Sequence, residues 1–272
     1  MQVSVATWNV NSVRLRFPLI RKFLTTHAPD VLCLQETKCP DELFPRKDFA
    51  KLGYEHIALH GQKGWHGVAV VAKHPFTDIT RDNYCGKNDA RHVSVRLAGE
   101  AGVETPVTIH NYYIPAGGDE PNPAVNEKFA HKLAFLDELK TCSACRDSVA
   151  GGRAILVGDL NVAPLEHDVW SHKQLLKVVS HTPIEVEKFT AMQQAGRWID
   201  VMRGFVPEPA KLYTWWSYRA QDWAASNRGR RLDHIWASPA LERAAREMKI
   251  VQEARGWERP SDHVPVIANF DL

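Results

Sequence analysis

The chain has 272 residues, 44% hydrophobic and 24% charged, a balance that excludes a disordered polymer and allows an extensive core in one large domain or two modest ones. Thirty-four Lys and Arg stand against 32 Asp and Glu, for a formal net charge of +2, so a face for polyanions must come from local clustering and not from bulk charge. Five cysteines, odd in number and scattered, exclude a disulfide framework, and no run approaches the ~18 apolar residues of a membrane span.

Val3, Val5 and Thr7 alternate with Ser4 and Ala6 and predict an opening strand that runs into Trp8-Asn9-Val10-Asn11. These first residues lack the basic segment and long apolar core of a signal peptide, so the expected location is cytoplasmic. A helical stripe of Leu19, Ile20, Phe23 and Leu24 spans Phe17 to His27 and stops near Pro29. Asp30 to Glu36 reads as a buried strand that ends on an acid. Tyr54 to Leu59 and Gly67 to Ala72 form a strand pair around the turn at 61–66, and His92 to Leu97 and Val107 to Tyr113 continue the pattern. Asn126 to Lys140 predicts a helix with Phe129, Leu133, Leu136 and Leu139 on one face. Cys142-Ser143-Ala144-Cys145 is a lone CxxC with no second pair and no histidine cluster; it reads as a helix end carrying two thiols before it reads as a zinc or redox site.

Ala154-Ile155-Leu156-Val157 is the most strongly buried strand in the sequence, and Gly158-Asp159-Leu160-Asn161 with Pro164 must end it. Two residues apart, Asp159 and Asn161 can face one cleft, although an Asx-type turn alone would also account for them. Short helical stretches follow at about 173–179 and 184–194. An aromatic, partly basic segment runs from Leu212 to Arg219, and Arg228, Arg230 and Arg231 crowd a turn before the strand Leu232 to Ala237. Met248 to Gln252 and Val264 to Phe270 are the last strands, with Ser261-Asp262-His263 just ahead of the second. No repeat or linker interrupts the order, and residues 1–272 are read as one α/β domain.

Asn9, Asn11, Glu36, Tyr113, Asp159, Asn161, Asp233, Asp262 and His263 thus all stand at strand ends. Each alone fits a plain structural role: a turn residue, the first solvated position, a satisfied His–Asp pair. In an α/β fold, however, such ends share one rim, and the set contains what phosphodiester hydrolysis requires. It offers hard oxygen ligands for a divalent ion, a base for water, a charge-stabilising histidine and donors for phosphate.

These residues carry a family resemblance. Thr7-Trp8-Asn9-Val10-Asn11, Leu34-Gln35-Glu36-Thr37-Lys38, Gly67-Val68-Ala69, Tyr113-Ile114-Pro115, Gly158-Asp159-Leu160-Asn161, Tyr213-Thr214-Trp215-Trp216, Arg231-Leu232-Asp233 and Ser261-Asp262-His263-Val264-Pro265 follow in the order seen in the exodeoxyribonuclease III family of bacterial apurinic/apyrimidinic endonucleases. That family lies within the endonuclease/exonuclease/phosphatase superfamily. The resemblance implies a four-layer α/β sandwich, two mixed β-sheets packed face to face with helices outside. The alternation of strands and helices, read without it, points to a doubly wound sheet.

By the same resemblance, Glu36 binds Mg²⁺, or Mn²⁺ in its place, with Asn11 and Asp262 near and Asp159 and Asn161 as further candidate ligands. Asp159 orients or deprotonates the attacking water, and Asn161 with Asn9 holds the phosphate or the histidine. His263 stabilises charge on the phosphate, Asp233 fixes its tautomer, and Tyr113 lies against the scissile phosphate. Trp215 and Leu232 wall a pocket tight enough to admit a bare deoxyribose, Arg219 reaches into the duplex, and Arg91, Arg228, Arg230 and Arg231 touch DNA. The implied partner is double-stranded DNA with abasic sites or 3′ ends, cut by a monomer.

The chain also departs from the family pattern. Asn11 stands where some relatives have Asp, Ala116 where many carry an amide, and Asp119 and Glu120 put acids on the same loop. The scaffold admits two other readings. A phosphodiesterase for another phosphate ester would match relatives that place a His at Tyr113. An inactive nucleic-acid-binding regulator would have lost polar positions that are all present here.

Overall fold

Branched aliphatic runs set the frame. In the computed structural model, which describes residues 1–97, 105–220 and 222–272, they form strands β1 (Gln2–Asn9), β2 (Val31–Gln35), β3 (His56–His60), β4 (Val68–Ala72), β5 (Thr77–Thr80), β6 (His92–Leu97) and β7 (Val107–Tyr113). The later strands are β8 (Ala154–Asp159), β9 (Ile199–Asp200), β10 (Trp215–Trp216), β11 (Gly229–Arg230), β12 (Asp233–Ala237), β13 (Ala245–Ile250) and β14 (Val266–Asp271). Helices are α1 (Phe17–His27), α2 (Arg46–Ala50), α3 (Glu127–Leu139), α4 (Ser143–Val149), α5 (His172–Leu175), α6 (Pro183–Ala195), α7 (Val201–Phe205) and α8 (Trp223–Ser226).

The strands assemble into two six-stranded sheets, ordered β13-β14-β1-β2-β4-β3 and β5-β6-β7-β8-β12-β9, with β10 and β11 as a separate pair. At the centre of each sheet lies one parallel pair, β1 with β2 and β7 with β8. The neighbours of both pairs are antiparallel. Both sheets are therefore mixed, and the doubly wound reading is corrected. That arrangement needs a helical crossover after nearly every strand, whereas β3–β4, β4–β5 and β5–β6 follow each other with no helix between them.

The sheets pack through their inner faces. Val5, Val31, Cys33 and Val70 of one meet Val95, Ile109, Ile155 and Ile235 of the other in one buried cluster. Outside the first sheet, Trp8, Leu32 and Leu34 pack under Ile20, Phe23 and Leu24 of α1. Outside the second, Tyr112, Leu156 and Trp236 pack under α3, α4 and α6 through Leu136, Cys145 and Phe189. Alternate residues of a strand point to opposite faces, so these fully buried strands are filled on both sides and read as unbroken apolar runs.

Helices α1 and α3 fall where the apolar stripes place them, and Asn126 caps α3 by accepting from the backbone amides of Lys128 and Phe129. Helix α5 is shorter than its stripe because it gives way before the β-branched pair Val178-Val179. Cys142 caps α4 through its sulfur and all five cysteines are free, so the CxxC is a helix start. No helix among the described residues is long and apolar enough to cross a membrane.

Register carries the fold to the site. Tyr113 pairs with Asp159 across β7 and β8, and Asp159 pairs with Asp233 across β8 and β12, so three candidate residues stand side by side at one end of a sheet. Asn9 pairs with Gln35 at the matching end of the other sheet. Gly158 makes the close fit possible: it has φ +145° and a Cβ there would lie 1.9 Å from the Tyr112 carbonyl oxygen.

Candidate active site

The two sheet ends meet through Asn9. Its buried amide Nδ2 donates to Glu36 Oε1 at 2.9 Å and to Asp159 Oδ2 at 2.8 Å, so one nitrogen links carboxylates from both sheets. Both amide hydrogens are thereby used. Asn9 thus ties the two acids together. The Tyr113 hydroxyl donates to the same Glu36 Oε1 at 2.9 Å, while the Lys38 ammonium lies 2.9 Å from Glu36 Oε2 and donates to Asn11 Oδ1 at 2.7 Å.

Across this junction His263 lies between two acids. Its Nδ1 bonds Asp233 Oδ2 at 2.8 Å and its Nε2 lies 3.6 Å from Asp159 Oδ2. The backbone around it is tied in place: Ser261 Oγ accepts from the His263 amide at 3.2 Å and donates to the Asn9 carbonyl at 2.7 Å. Thr214 Oγ1 accepts from the Asp233 amide at 3.0 Å. Asn161 gives its amide Nδ2 to the Ile114 carbonyl at 2.9 Å, which leaves one side-chain N–H available. Asn11, Glu36, Lys38 and Asn161 all have left-handed backbone, with φ of 46°, 50°, 48° and 53°. For residues other than glycine, such conformations cost ~1–3 kcal/mol each and gather at functional sites.

The electrostatics follow from burial and these partners. Burial, aided by Asp233, pushes the Asp159 carboxyl up to about 7, with His263 pulling the other way. Burial opposes a charge on His263, but Asp233 and then Asp159 outweigh it and raise that imidazole to about 10. Burial also works against Glu36, yet the Asn9 amide and the Lys38 ammonium hold its carboxyl below the usual range. The result is a carboxyl that titrates near neutral pH beside a stable imidazolium, with an ionised carboxylate on the far side of Asn9.

Two places could bind a cation. Asp159, Asp233 and His263 each offer a ligand atom within 4.8 Å of the others, but a histidine kept protonated by its two acids has no lone pair to give. Glu36 Oε2 and Asn11 Oδ1 fit better, because both already converge on one cation, the Lys38 ammonium. Asp262 lines the same cavity as Glu36, with its Oδ2 accepting from Trp215 Nε1 at 2.9 Å.

That cavity, of about 640 Å³, opens directly on Glu36, Asp159, Asn161 and His263. Trp215 and Leu232 line it as expected. So do Trp170, Val178 and Val179, which the sequence reading missed because the valine pair reads as helix. Arg219 is exposed at its mouth. Arg228 lies over the Trp170 ring at 4.7 Å and Arg230 over Trp215 at 5.1 Å. Ala116 and Asp119 line it too, a methyl and an acid where an amide would have offered a contact.

Two arginines are not where the sequence reading put them. Arg231 is fully buried, donating to Asp200 Oδ2 at 2.6 Å and Asp168 Oδ2 at 2.8 Å. Arg91 is 6% exposed and bonded to Asp89, Tyr113 and His66. Neither guanidinium is presented to a duplex, since each is already matched inside the protein by acids that the linear sequence does not place beside it.

Residues 6–263 match the Endonuclease/Exonuclease/phosphatase family. The chain is 30% identical to exodeoxyribonuclease III of Haemophilus influenzae, over 97% of this chain and 98% of that protein. Among solved structures it is similar to an AP endonuclease of Archaeoglobus fulgidus, with a TM-score of 0.86 and 31% identity over 99% of this chain and 100% of that one. It is also similar to a 3′ phosphatase from Neisseria bound to a product DNA hairpin, with a TM-score of 0.88 and 29% identity over 99% of this chain and 100% of that one.

Proposed function

The chain belongs to the Endonuclease/Exonuclease/phosphatase family, and from that premise we propose that it is a DNA-repair phosphodiesterase that cuts 5′ to abasic sites in duplex DNA and trims 3′ ends. One observation carries the reading: the Asn9 amide links Glu36 and Asp159, acids from opposite sheets, at one cavity that His263, held from behind by Asp233, also lines.

Asp159, whose carboxyl is pushed up to about 7, is in its ionised form the base that takes the proton of the water that attacks phosphorus. His263 stays charged and faces the negative charge that builds on the phosphate oxygens, while Asp233 keeps its Nδ1 protonated. The free amide hydrogen of Asn161 donates to the same phosphate. Tyr113 lines the adjoining cavity, on the other side of Ala116 and Gly118, and steadies Glu36. A divalent ion, Mg²⁺ by the chemistry of the oxygen donors, supplies charge neutralisation when bound, and Glu36 and Asn11 are the residues fit to hold it. Trp215 and Leu232 receive the sugar of an extruded abasic residue, and Arg219 and Arg228 contact DNA near the gap.

A duplex with one tetrahydrofuran abasic analogue tests the reading, with Mg²⁺ and with chelator. The protein is expected to give a single incision 5′ to the analogue that depends on the metal, and Asp159→Asn to lose ~10²–10⁴ of the rate, the usual contribution of a general base. Equal cleavage by that variant and the parent, or cleavage that survives chelation, refutes it.

A further inference from the structure

Arg91 stands just before β6 and carries a positive charge close to the cavity, which makes it an apparent phosphate contact. Its surroundings argue otherwise. Nε bonds the Asp89 carboxylate, Nη1 donates to the Tyr113 carbonyl at 3.2 Å, and Nη2 donates to His66 Nε2 at 2.9 Å. The guanidinium carbon also lies 4.8 Å from the centre of the Tyr113 ring. His66 accepts at Nε2, so its proton sits on Nδ1, 3.2 Å from Gln62 Oε1, and the imidazole is neutral.

The backbone closes the same arrangement, since the Tyr113 amide donates to the Arg91 carbonyl at 2.8 Å. Each guanidinium nitrogen therefore has a partner inside the protein: Nε the Asp89 carboxylate, Nη1 the Tyr113 carbonyl and Nη2 the His66 imidazole. Swinging out to a phosphate would part Arg91 from Asp89, the Tyr113 carbonyl and His66 together, a loss of ~1–3 kcal/mol for one orphaned buried group alone. Arg219 differs: it is exposed, and its side chain has no hydrogen bond among the described residues.

We propose that Arg91 is a positioning residue. It fixes the Tyr113 ring and, through the phenol hydroxyl, the orientation of the Glu36 carboxylate, and it does not contact DNA. The chain of contacts is short: Arg91 holds the Tyr113 ring and carbonyl, and Tyr113 Oη donates to Glu36 Oε1 at 2.9 Å, which leaves Oε2 turned to the cation side. Without this hold, Glu36 Oε1 keeps only Asn9, and the carboxylate is freer to rotate. The proposal rests on the reading of Glu36 and Tyr113 as members of the hydrolytic site.

The test separates positioning from DNA contact. In an Asp159→Asn background, the dependence of duplex dissociation on salt is measured for the parent, Arg91→Met and Arg219→Ala. Arg219→Ala is expected to flatten the log–log slope by ~0.9, the value for one lost phosphate contact, and Arg91→Met to leave it unchanged. In the active background, Arg91→Met should lower kcat by ~10- to 100-fold with KM for DNA within about twofold, and weaken Mn²⁺ binding measured calorimetrically without DNA, as loss of an outer-shell partner does.

Arg91→Lys should not restore either, because one ammonium cannot reach Asp89, Tyr113 and His66 together. If Arg91→Met fails to fold, His66→Phe removes one acceptor, keeps the charge, and should give a smaller loss in the same direction. A flatter salt slope for Arg91→Met, or unchanged kcat and Mn²⁺ affinity in the folded variants, overturns the proposal. If the parent cuts no DNA, the proposed function fails, while the slope and the Mn²⁺ titration still decide the role of Arg91.

Discussion

Replacing Lys132 by Met should weaken the fold and the site together. Lys132 lies on α3 with its side chain fully buried, and its ammonium donates to the Asn161 carbonyl at 2.7 Å, the Ala116 carbonyl at 3.3 Å and the Glu185 carboxylate. Glu185, also fully buried, accepts from the Ser180 amide at 2.9 and 3.0 Å, the Thr182 amide at 3.2 Å and the Thr182 hydroxyl at 2.5 Å. This pair therefore ties together three cavity segments, those of Ala116, Asn161 and Ser180.

Removing one member of a buried pair typically costs ~3–5 kcal/mol. Because Glu185 keeps its backbone and hydroxyl donors, the lower end applies, about 3 kcal/mol, which corresponds to a fall in Tm of ~6–12 °C for a domain of this size. Adding Glu185→Gln removes the stranded charge while keeping an acceptor, and should restore ~1–2 kcal/mol. Denaturant and thermal unfolding of parent, single and double variants measure these differences, and kcat should fall as Asn161 loosens. A Lys132→Met variant within about 0.5 kcal/mol of the parent, or a double variant less stable than the single, refutes the reasoning that a charged, buried pair holds these loops.

Cleavage rate should rise with pH as Asp159 ionises, near pH 7, and fall when His263 loses its proton, near pH 10. Asp233→Asn should move the alkaline limb to lower pH, and a profile identical to the parent's would contradict the role given to Asp233. The same two groups set a stability trend, because both have folded pKa values above the unfolded ones. Their contribution is complete below the unfolded pKa and is lost as pH rises, from 3.8 to about 7 for Asp159 and from 6.5 to about 10 for His263. Their share is read as the urea-midpoint difference between parent and Asp233→Asn across this range, which should shrink as pH rises, because the buried His92, His110 and His234, whose pKa values burial lowers, gain with pH in both proteins. Arg231→Met should lower unfolding free energy by about 3 kcal/mol, the lower end for a broken buried pair because Asp168 keeps Arg203 and Asp200 keeps the Arg203 amide, yet leave the salt slope of DNA binding unchanged, which fluorescence titration would show.

Local features were legible where chemistry and periodicity agree. The apolar run 154–157 and its Gly-Asp-x-Asn corner fixed both β8 and the place of Asp159, because a strand buried on both faces must end where polar turn residues begin. The stripe of α1 and the cap of α3 were equally plain. The pairing of strands was not, because periodicity says which face is buried and nothing about which distant strand lies alongside.

Charge misled for the same reason. Arg231 sits among arginines in the sequence but beside Asp168 and Asp200 in space, and Arg91 finds Tyr113 through the β6–β7 pairing and His66 where the Gly67 amide bonds the Ala90 carbonyl. Lys132, adjacent to Leu133 on a helix, looks like a solvated position until Glu185 of α6 closes over it. Left-handed backbone at Asn11 and Asn161 suits asparagine, whereas nothing in the residue type announces it at Glu36.

The most direct measurement is a crystal structure of Asp159→Asn bound to a duplex with one abasic residue and Mn²⁺, read through the anomalous signal of the metal. The scissile phosphate should lie between Glu36 and His263, with the Mn²⁺ peak on Glu36 Oε2 and the abasic sugar between Trp215 and Leu232. A phosphate bound elsewhere, or a metal seated among Asp233 and His263 with Glu36 empty, would contradict the account.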